Sequence, residues 1–336
     1  MVWKLDLRRM LGVRAAAPRG LIPTGDPVGI GAVSATGTIL LTGASGYVGG
    51  RLAPLLGDGG QPLRCLMRRP DPSRLPDGAE PVEGDAVSGE GLGEALRGIE
   101  VAYYLIHSMG RGSDPSGDFA ARDRVAARNF GRAARAAGVR RIVYLGGLPS
   151  SNDASSSHLE SRHETAEILS DFVPELVHAR AAMVIGGASA SFTMLRALVA
   201  RLPVMVCPRW IDTRSQPIAV EDVVGALAEL GRRPDAVAEA ELGGADVLTY
   251  REMMRRFSPL LDRRPPLILK TPVLSPSLSS YWVGAVTPVE TAIARPLVDG
   301  LRSEMIVRKP PPRGVNDHPL GFEDAVRAAL QEEGGE

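Results

Sequence analysis

Short apolar runs alternate with segments of helical period from Thr38 onward, and this alternation predicts the architecture before any motif is considered. Residues 38–42 (TILLT) read as a strand, a glycine-rich turn follows, and Val48, Leu52, Leu55 and Leu56 mark one face of a helix. Pro54 removes a hydrogen bond from that helix and is expected to kink its second turn. Residues 63–68, 82–85 and 101–107 read as strands, with a short helix at 92–96. A long helix then places Phe119, Asp123, Ala126, Phe130, Ala133 and Ala137 at helical spacing; Asp123 interrupts the otherwise apolar face, and Gly138 ends the helix before a strand at 141–145. Residues 150–157 read as a polar loop, Ser157 with Glu160 as a capping box opening a helix towards Leu169, and 177–185 as a further strand. Strands alternating with helices imply an α/β fold, a doubly wound parallel sheet covered on both faces.

Beyond Gly186 the rhythm loosens. Helices are expected at 192–202 and 221–230, apolar stretches at 204–207 and 216–220, and helix starts at Thr249 with Glu252 and at Thr287-Pro288 with Glu290. The expected division is a loose leader (1–37), a nucleotide-binding Rossmann domain (38–186), a smaller substrate lobe with returning sheet elements (187–308) and a tail (309–336) carrying one helical pattern at 322–330.

Composition changes this picture mainly by exclusion. The 336 residues carry 39 basic and 39 acidic side chains, so bulk charge does not recommend nucleic acid or an anionic membrane as partner, although a local basic patch remains compatible. No apolar run reaches the roughly 20 residues of a membrane span. Cys65 and Cys207 stand in apolar surroundings without CxxC spacing, and five histidines lack paired spacing, so neither a disulfide framework nor a metal site is indicated; a reducing cytoplasm is the simplest expectation.

The chemistry is concentrated in Thr42-Gly43-Ala44-Ser45-Gly46-Tyr47-Val48-Gly49, which follows the first strand and opens the first helix. Gly43 suits a tight turn, Gly46 a close backbone approach to a pyrophosphate, and Gly49 close packing of helix on sheet, while the helix N-terminus offers N–H groups to the anion. The end of the second strand selects the nucleotide. Arg68 and Arg69 stand where an acid would hold a ribose 2′-hydroxyl, and Asp71, beyond Pro70, reads as a turn residue, so NADP(H) is favoured over NAD(H).

With that loop, Gly84-Asp85, Ala127-Arg128-Asn129-Phe130, the stretch 139–145 (VRRIVYL), the stretch 216–223 (QPIAVEDV) and Glu241-Leu242-Gly243-Gly244, the chain resembles the extended and atypical short-chain dehydrogenase/reductases. That branch includes NmrA-like NAD(P)H-binding proteins and the nucleotide-binding accessory subunit of respiratory complex I. The resemblance spans about residues 38–308 and implies that Asp85 and Ala86 lie against the adenine, while Ile106, His107 and Ser108 line the nicotinamide ribose side.

The chain departs from the catalytic pattern of that superfamily, a Ser after the fifth strand and a Tyr-x-x-x-Lys pair. Gly146 and Gly147 occupy the serine region, and His158 with Arg162 have the spacing of the pair. His158 is read as a surface residue at a helix start, His163 as exposed and His178 as a core histidine. Tyr104 and His107, at the carboxyl end of a strand, are the alternative proton donors. Tyr281 and Trp282 are candidate caps of an apolar substrate pocket. Two functions fit: an NADP(H)-dependent oxidoreductase acting on a small apolar carbonyl or hydroxyl compound, or a non-catalytic dinucleotide sensor or assembly protein. Neither the substrate nor the oligomeric state is legible.

Overall fold

In the computed structural model, which describes residues 37–108, 119–149, 157–271, 288–289 and 297–334, strand β1 (Thr38–Thr42) is an inner strand of a parallel sheet. Helix α1 (Tyr47–Gly57) follows, then β2 (Leu63–Met67), β3 (Glu80–Glu83), α2 (Leu92–Ala95), β4 (Ile99–Tyr104), α3 (Phe119–Ala137), β5 (Arg141–Gly147), α4 (Ser157–Ser170) and β6 (Glu175–Ala181). Strand β7 (Val184–Ile185), α5 (Ala190–Arg201), β8 (Val204–Cys207), β9 (Arg214–Ser215), β10 (Ile218–Ala219) and α6 (Val220–Arg232) come next. Then come β11 (Glu239–Leu242), β12 (Leu248–Thr249), α7 (Tyr250–Phe257), β13 (Leu267–Lys270) and α8 (Phe322–Gly334).

The main sheet has the order β11-β6-β5-β4-β1-β2-β3, and every pair in it is parallel. The order reverses between β1 and β4, and a crevice opens beyond the carboxyl ends of strands at such a point. Both faces are covered. One carries Leu52 and Leu56 of α1 with Val223 and Leu227 of α6, the other Phe130 of α3 and Leu169 of α4. The adjacent Tyr103 and Tyr104 point to opposite faces of β4 and both are buried, as strand alternation under two helical layers requires. Leu55, read from sequence on the buried face of α1, points outward, and α1 runs through Pro54 as one helix.

Two boundaries differ from the sequence reading. The run 177–185 is not one strand: β6 ends at Ala181, and β7 leaves the sheet to pair with β10, Ile218 opposite Val184. Strand β4 stops at Tyr104 because the Leu105 N–H donates to Thr42 Oγ1 at 3.0 Å instead of to the next strand, so residues 105–108 run into the crevice.

A second core gathers Phe192 and Leu195 of α5, Met253 and Phe257 of α7, and Phe322 and Val326 of α8. Thr249 and Glu252 form the expected capping box on α7. Helix α8, in the stretch read as a tail, is an integral wall of this core; Asp246 accepts from the Phe322 N–H at 2.8 Å and Asp222 from the Leu320 N–H at 2.8 Å. Of the expected helix start at Thr287-Pro288 with Glu290 only Pro288 is described; Thr287, Glu290, the leader through residue 36, and Tyr281 and Trp282 lie outside the described residues. No helix among the described residues is long and apolar enough to cross a membrane.

Candidate functional site

Space dictates the glycines of the turn after β1. Gly43 has φ +72°, and a Cβ on Gly49 would lie 2.1 Å from the Gly43 carbonyl oxygen. Gly46 is the N-cap of α1 and has no side-chain acceptor, and no acid stands in the first turn. The first N–H groups of α1 are therefore left for an outside anion, at the positive end of the helix dipole. Ser45 is exposed at the turn and Val48 half-buried beside it. The Tyr47 side chain is engaged away from the turn. Its hydroxyl donates to Glu332 of α8 at 2.9 Å, and Arg51, paired with Glu332 at 2.7 Å, lies over its ring at 3.9 Å. Tyr47 thus gives the turn only its backbone.

An open groove lies beside the turn, lined by Ser45, Arg68, Arg69, Asp71 and Arg74. Asp71 is a turn residue as expected: its carboxylate caps the short 3-10 helix Pro72–Arg74 and accepts from Ser73 N at 3.2 Å and Ser73 Oγ at 2.6 Å. Arg74 donates to the Ser45 carbonyl at 3.3 Å, a third cation that the sequence reading missed because it lies beyond the Asp71 turn. Just after β3, Asp85 accepts from the Val87 N–H at 2.6 Å. Asn129 Nδ2 holds the same loop through the carbonyls of Ala86 (3.1 Å) and Val87 (2.9 Å). Ile106 packs against the core on the α3 side.

A second cavity of about 320 Å³ adjoins the turn through Val48 and extends between β5, β6 and the lobe to Trp210, Tyr250 and Met254. Its walls are mainly aliphatic, and His107, His158 and Arg162 meet at its sheet end. His107 Nδ1 lies 2.9 Å from Asp123 Oδ2, and Asp123 Oδ1 accepts from the Ser108 N–H at 2.9 Å. Burial alone would raise the Asp123 carboxyl; the bond and charge of His107 and the bonds from Ser108 outweigh it and hold the group below its usual value. The residue that breaks the apolar face of α3 is thus an anion that fixes His107. With Nδ1 taken by Asp123, proton exchange with a ligand falls to Nε2.

His158 is not a surface residue. Its helix packs Ser161, Thr165 and Leu169 inward, which turns the first turn of α4 towards the cavity and brings the His158 ring 5.1 Å from that of His107. Burial, then Arg162 and His107, push its pKa down to about 3, so the imidazole is neutral. Arg162 donates to the Leu145 carbonyl at the end of β5 and stacks on Tyr144. The missing serine has a structural cause: a Cβ on Gly146 would lie 2.2 Å from Nε2 of His178, whose ring packs against Tyr144. Tyr104 is not placed to donate a proton, since it is enclosed against Phe130 and burial pushes its hydroxyl far above the ordinary value. His163 is exposed as expected. Among the described residues no group of three or more His, Cys, Asp or Glu could hold a metal ion.

His178 makes acid stability a test of this packing. Burial, then Arg180 and Arg162, lower its pKa to about 3, and Nε2 is buried without a hydrogen-bond partner. Below the ordinary histidine value near 6.5 the unfolded chain takes up a proton that the folded chain refuses, so stability is full above that pH and declines towards 3. The contribution of His178 falls by about 2 kcal/mol between pH 6.5 and 5. Urea midpoints measured across that range should drop less steeply in His178→Gln than in the parent.

Comparison with known proteins agrees with this geometry. Residues 43–199 match the model of an NAD(P)H-binding family. The matched segment carries the glycine turn and most of the Rossmann-type sheet, so the comparison and the geometry agree on an NAD(P)H-binding domain in this part of the chain. The chain is 29% identical over 244 residues to the ceramide reductase of Caulobacter vibrioides, covering 70% of this chain and 74% of that protein. It is 38% identical over 108 residues to a (4-alkanoyl-5-oxo-2,5-dihydrofuran-3-yl)methyl phosphate reductase of Streptomyces griseus, 32% of this chain and 33% of that one. Among solved structures, the NADPH-dependent quinone oxidoreductase of Escherichia coli, complexed with NADPH, superposes with a TM-score of 0.67 at 19% identity, covering 87% of this chain and 99% of that one. The triphenylmethane reductase of Citrobacter sp., complexed with NADP(H), gives 0.64 at 19% identity, with coverages of 87% and 100%.

Proposed function

We propose that the protein is an NADP(H)-dependent oxidoreductase for an apolar carbonyl or hydroxyl compound, with His107 as the group that exchanges the proton. The observation that carries this reading is the apolar cavity that meets both the glycine turn, at Val48, and the His107–Asp123 pair. A cavity of a few hundred Å³ beside the turn suits a small-molecule substrate and favours turnover over a purely sensing role. The reductases to which the chain is similar are named for a ceramide and for an alkanoyl-bearing furanone phosphate, and the aliphatic walls suit substrates of that kind.

The backbone of Gly43, Ser45, Gly46, Tyr47, Val48 and Gly49 would hold the pyrophosphate, Asp85 and Ala86 would flank the adenine, and Ile106 and His107 the nicotinamide side. Arg68, with Arg69 and Arg74, would receive a 2′-phosphate. The fit rests on the crowding at Gly49, the uncapped start of α1, and an Asp71 carboxylate already engaged by Ser73. When bound, the reduced nicotinamide supplies a hydride. His107 gives a proton from Nε2 to the carbonyl oxygen, Asp123 holds the ring and stabilises its charged form, and the aliphatic walls exclude water.

Arg68→Glu tests the nucleotide assignment. Calorimetric titration should show NADPH affinity falling on the order of 100-fold and NADH affinity changing little, because a charge-assisted contact to one phosphate is lost and replaced by repulsion. Equal loss for both nucleotides would place the 2′-phosphate elsewhere.

A further inference from the structure

The parallel pair of β8 and β13 carries apolar side chains on a face that points to solvent. In β8, Met205 and Cys207 are buried in the lobe core, while the alternate residues Val204 and Val206 are 50% and 46% exposed. Leu267 and Leu269 of β13 stand opposite them in register, 59% and 47% exposed. Outward positions of a half-buried strand are ordinarily polar. Nine large apolar residues are exposed among the described residues, and the other five (Leu55, Val87, Val125, Val247 and Leu320) lie apart on separate elements, so the four on this sheet form a patch. Because the strands are parallel, the chain enters both from the same end. There the exposed Arg263 and Arg264 precede β13, beside the exposed Asp262. At the other end the charge of Lys270 is met by Asp212.

We propose that this face docks on a bilayer with anionic headgroups, the four aliphatic side chains entering the acyl boundary and the arginines meeting lipid phosphates. Half-exposed side chains of this number offer on the order of 300 Å², well short of the roughly 800 Å² per partner that a stable protein interface buries. The basic rim matches a lipid surface. Among the described residues neither strand has a second neighbour, and open strand edges keep the sheet in the headgroup region rather than in the hydrocarbon core. The inner side of the same sheet, Met205 and Cys207, belongs to the same core as α5, whose Met194, Leu195 and Leu198 line the apolar cavity, so docking would hold that cavity near substrates dissolved in the membrane. This last consequence rests on the function proposed above; the docking itself does not.

Co-sedimentation of the full chain with phosphatidylcholine vesicles, made with and without phosphatidylglycerol, tests the proposal without substrate or nucleotide. Binding should be at least about tenfold tighter to the anionic vesicles and should weaken with salt. It should be lost in the outward-facing double variant Val206→Asp/Leu269→Asp, and weakened in Arg263→Glu/Arg264→Glu, with circular dichroism and NADPH affinity unchanged. Failure to bind either vesicle, or binding undiminished in the double variant, would overturn it. So would a concentration-dependent dimer in sedimentation that the double variant abolishes, because the face would then be an interface between copies. Vesicle binding by a protein that fails to oxidise NADPH with any carbonyl would remove the proposed function and leave the docking face intact.

Discussion

Replacing His107 by asparagine should lower the rate of carbonyl reduction by about two to three orders of magnitude, the usual worth of a positioned proton donor, and leave NADPH affinity within about threefold. Asparagine keeps a hydrogen-bonding group beside Asp123 but has no proton to give at neutral pH. Asp123→Asn should act through the ring instead. The imidazole loses the anion that holds Nδ1–H and favours the charged form, so the pH above which reduction declines should move to lower values, and kcat should fall more than KM rises. A merely structural Asp123 would change stability without moving the pH profile. Steady-state rates from pH 5 to 9 on the parent and both variants decide between these outcomes.

Arg141→Met should be the most damaging single change to the fold. Arg141 has no exposed surface, pairs with Glu175 at 2.7 Å, and donates to the carbonyls of Leu230, Gly231, Arg233 and Asp235, closing the end of α6 against β5. Glu175 keeps Arg140 at 2.8 Å when Arg141 is removed, so the orphaned groups are chiefly the carbonyls. The cost should be about 3 kcal/mol, towards the lower end for breaking a buried ionic cluster. Arg140→Met, at a partly exposed ion pair, should cost about 1 kcal/mol or less. Urea unfolding of the two variants gives the comparison directly, and equal losses would contradict the role assigned to Arg141.

Much of the sheet is legible along the chain because each βα step changes a short continuous apolar run into a pattern of period 3.6 and is punctuated by glycine, as at Gly43 and Gly138. The break between β6 and β7 is hidden because 177–185 contains no glycine, proline or other turn residue, and a change of strand partner leaves no trace in such a run. Local composition also misplaces His158. The serine-rich stretch before it reads as solvated, whereas packing of α4 decides the burial of its first turn. The interruption at Asp123 is visible from spacing alone, but its partner His107 lies 16 residues earlier and is fixed only in three dimensions. Likewise Gly146 reads as an absent serine, and its physical cause, the ring of His178, appears only when β5 and β6 are in register. Phe322, Val326 and Ala329 carried the helical spacing that makes α8 a wall of the second core rather than a loose end.

Transfer of deuterium from NADPH labelled at C4 of the nicotinamide, in each stereospecific form, to a panel of long-chain ketones and aldehydes tests the central claim most directly. One deuterium is expected on the former carbonyl carbon of the alcohol product from one of the two labelled forms, with the yield collapsing in His107→Asn. Tight NADPH binding with no labelled product from any panel member would contradict it, and would leave a nucleotide-binding protein whose apolar cavity serves something other than reduction.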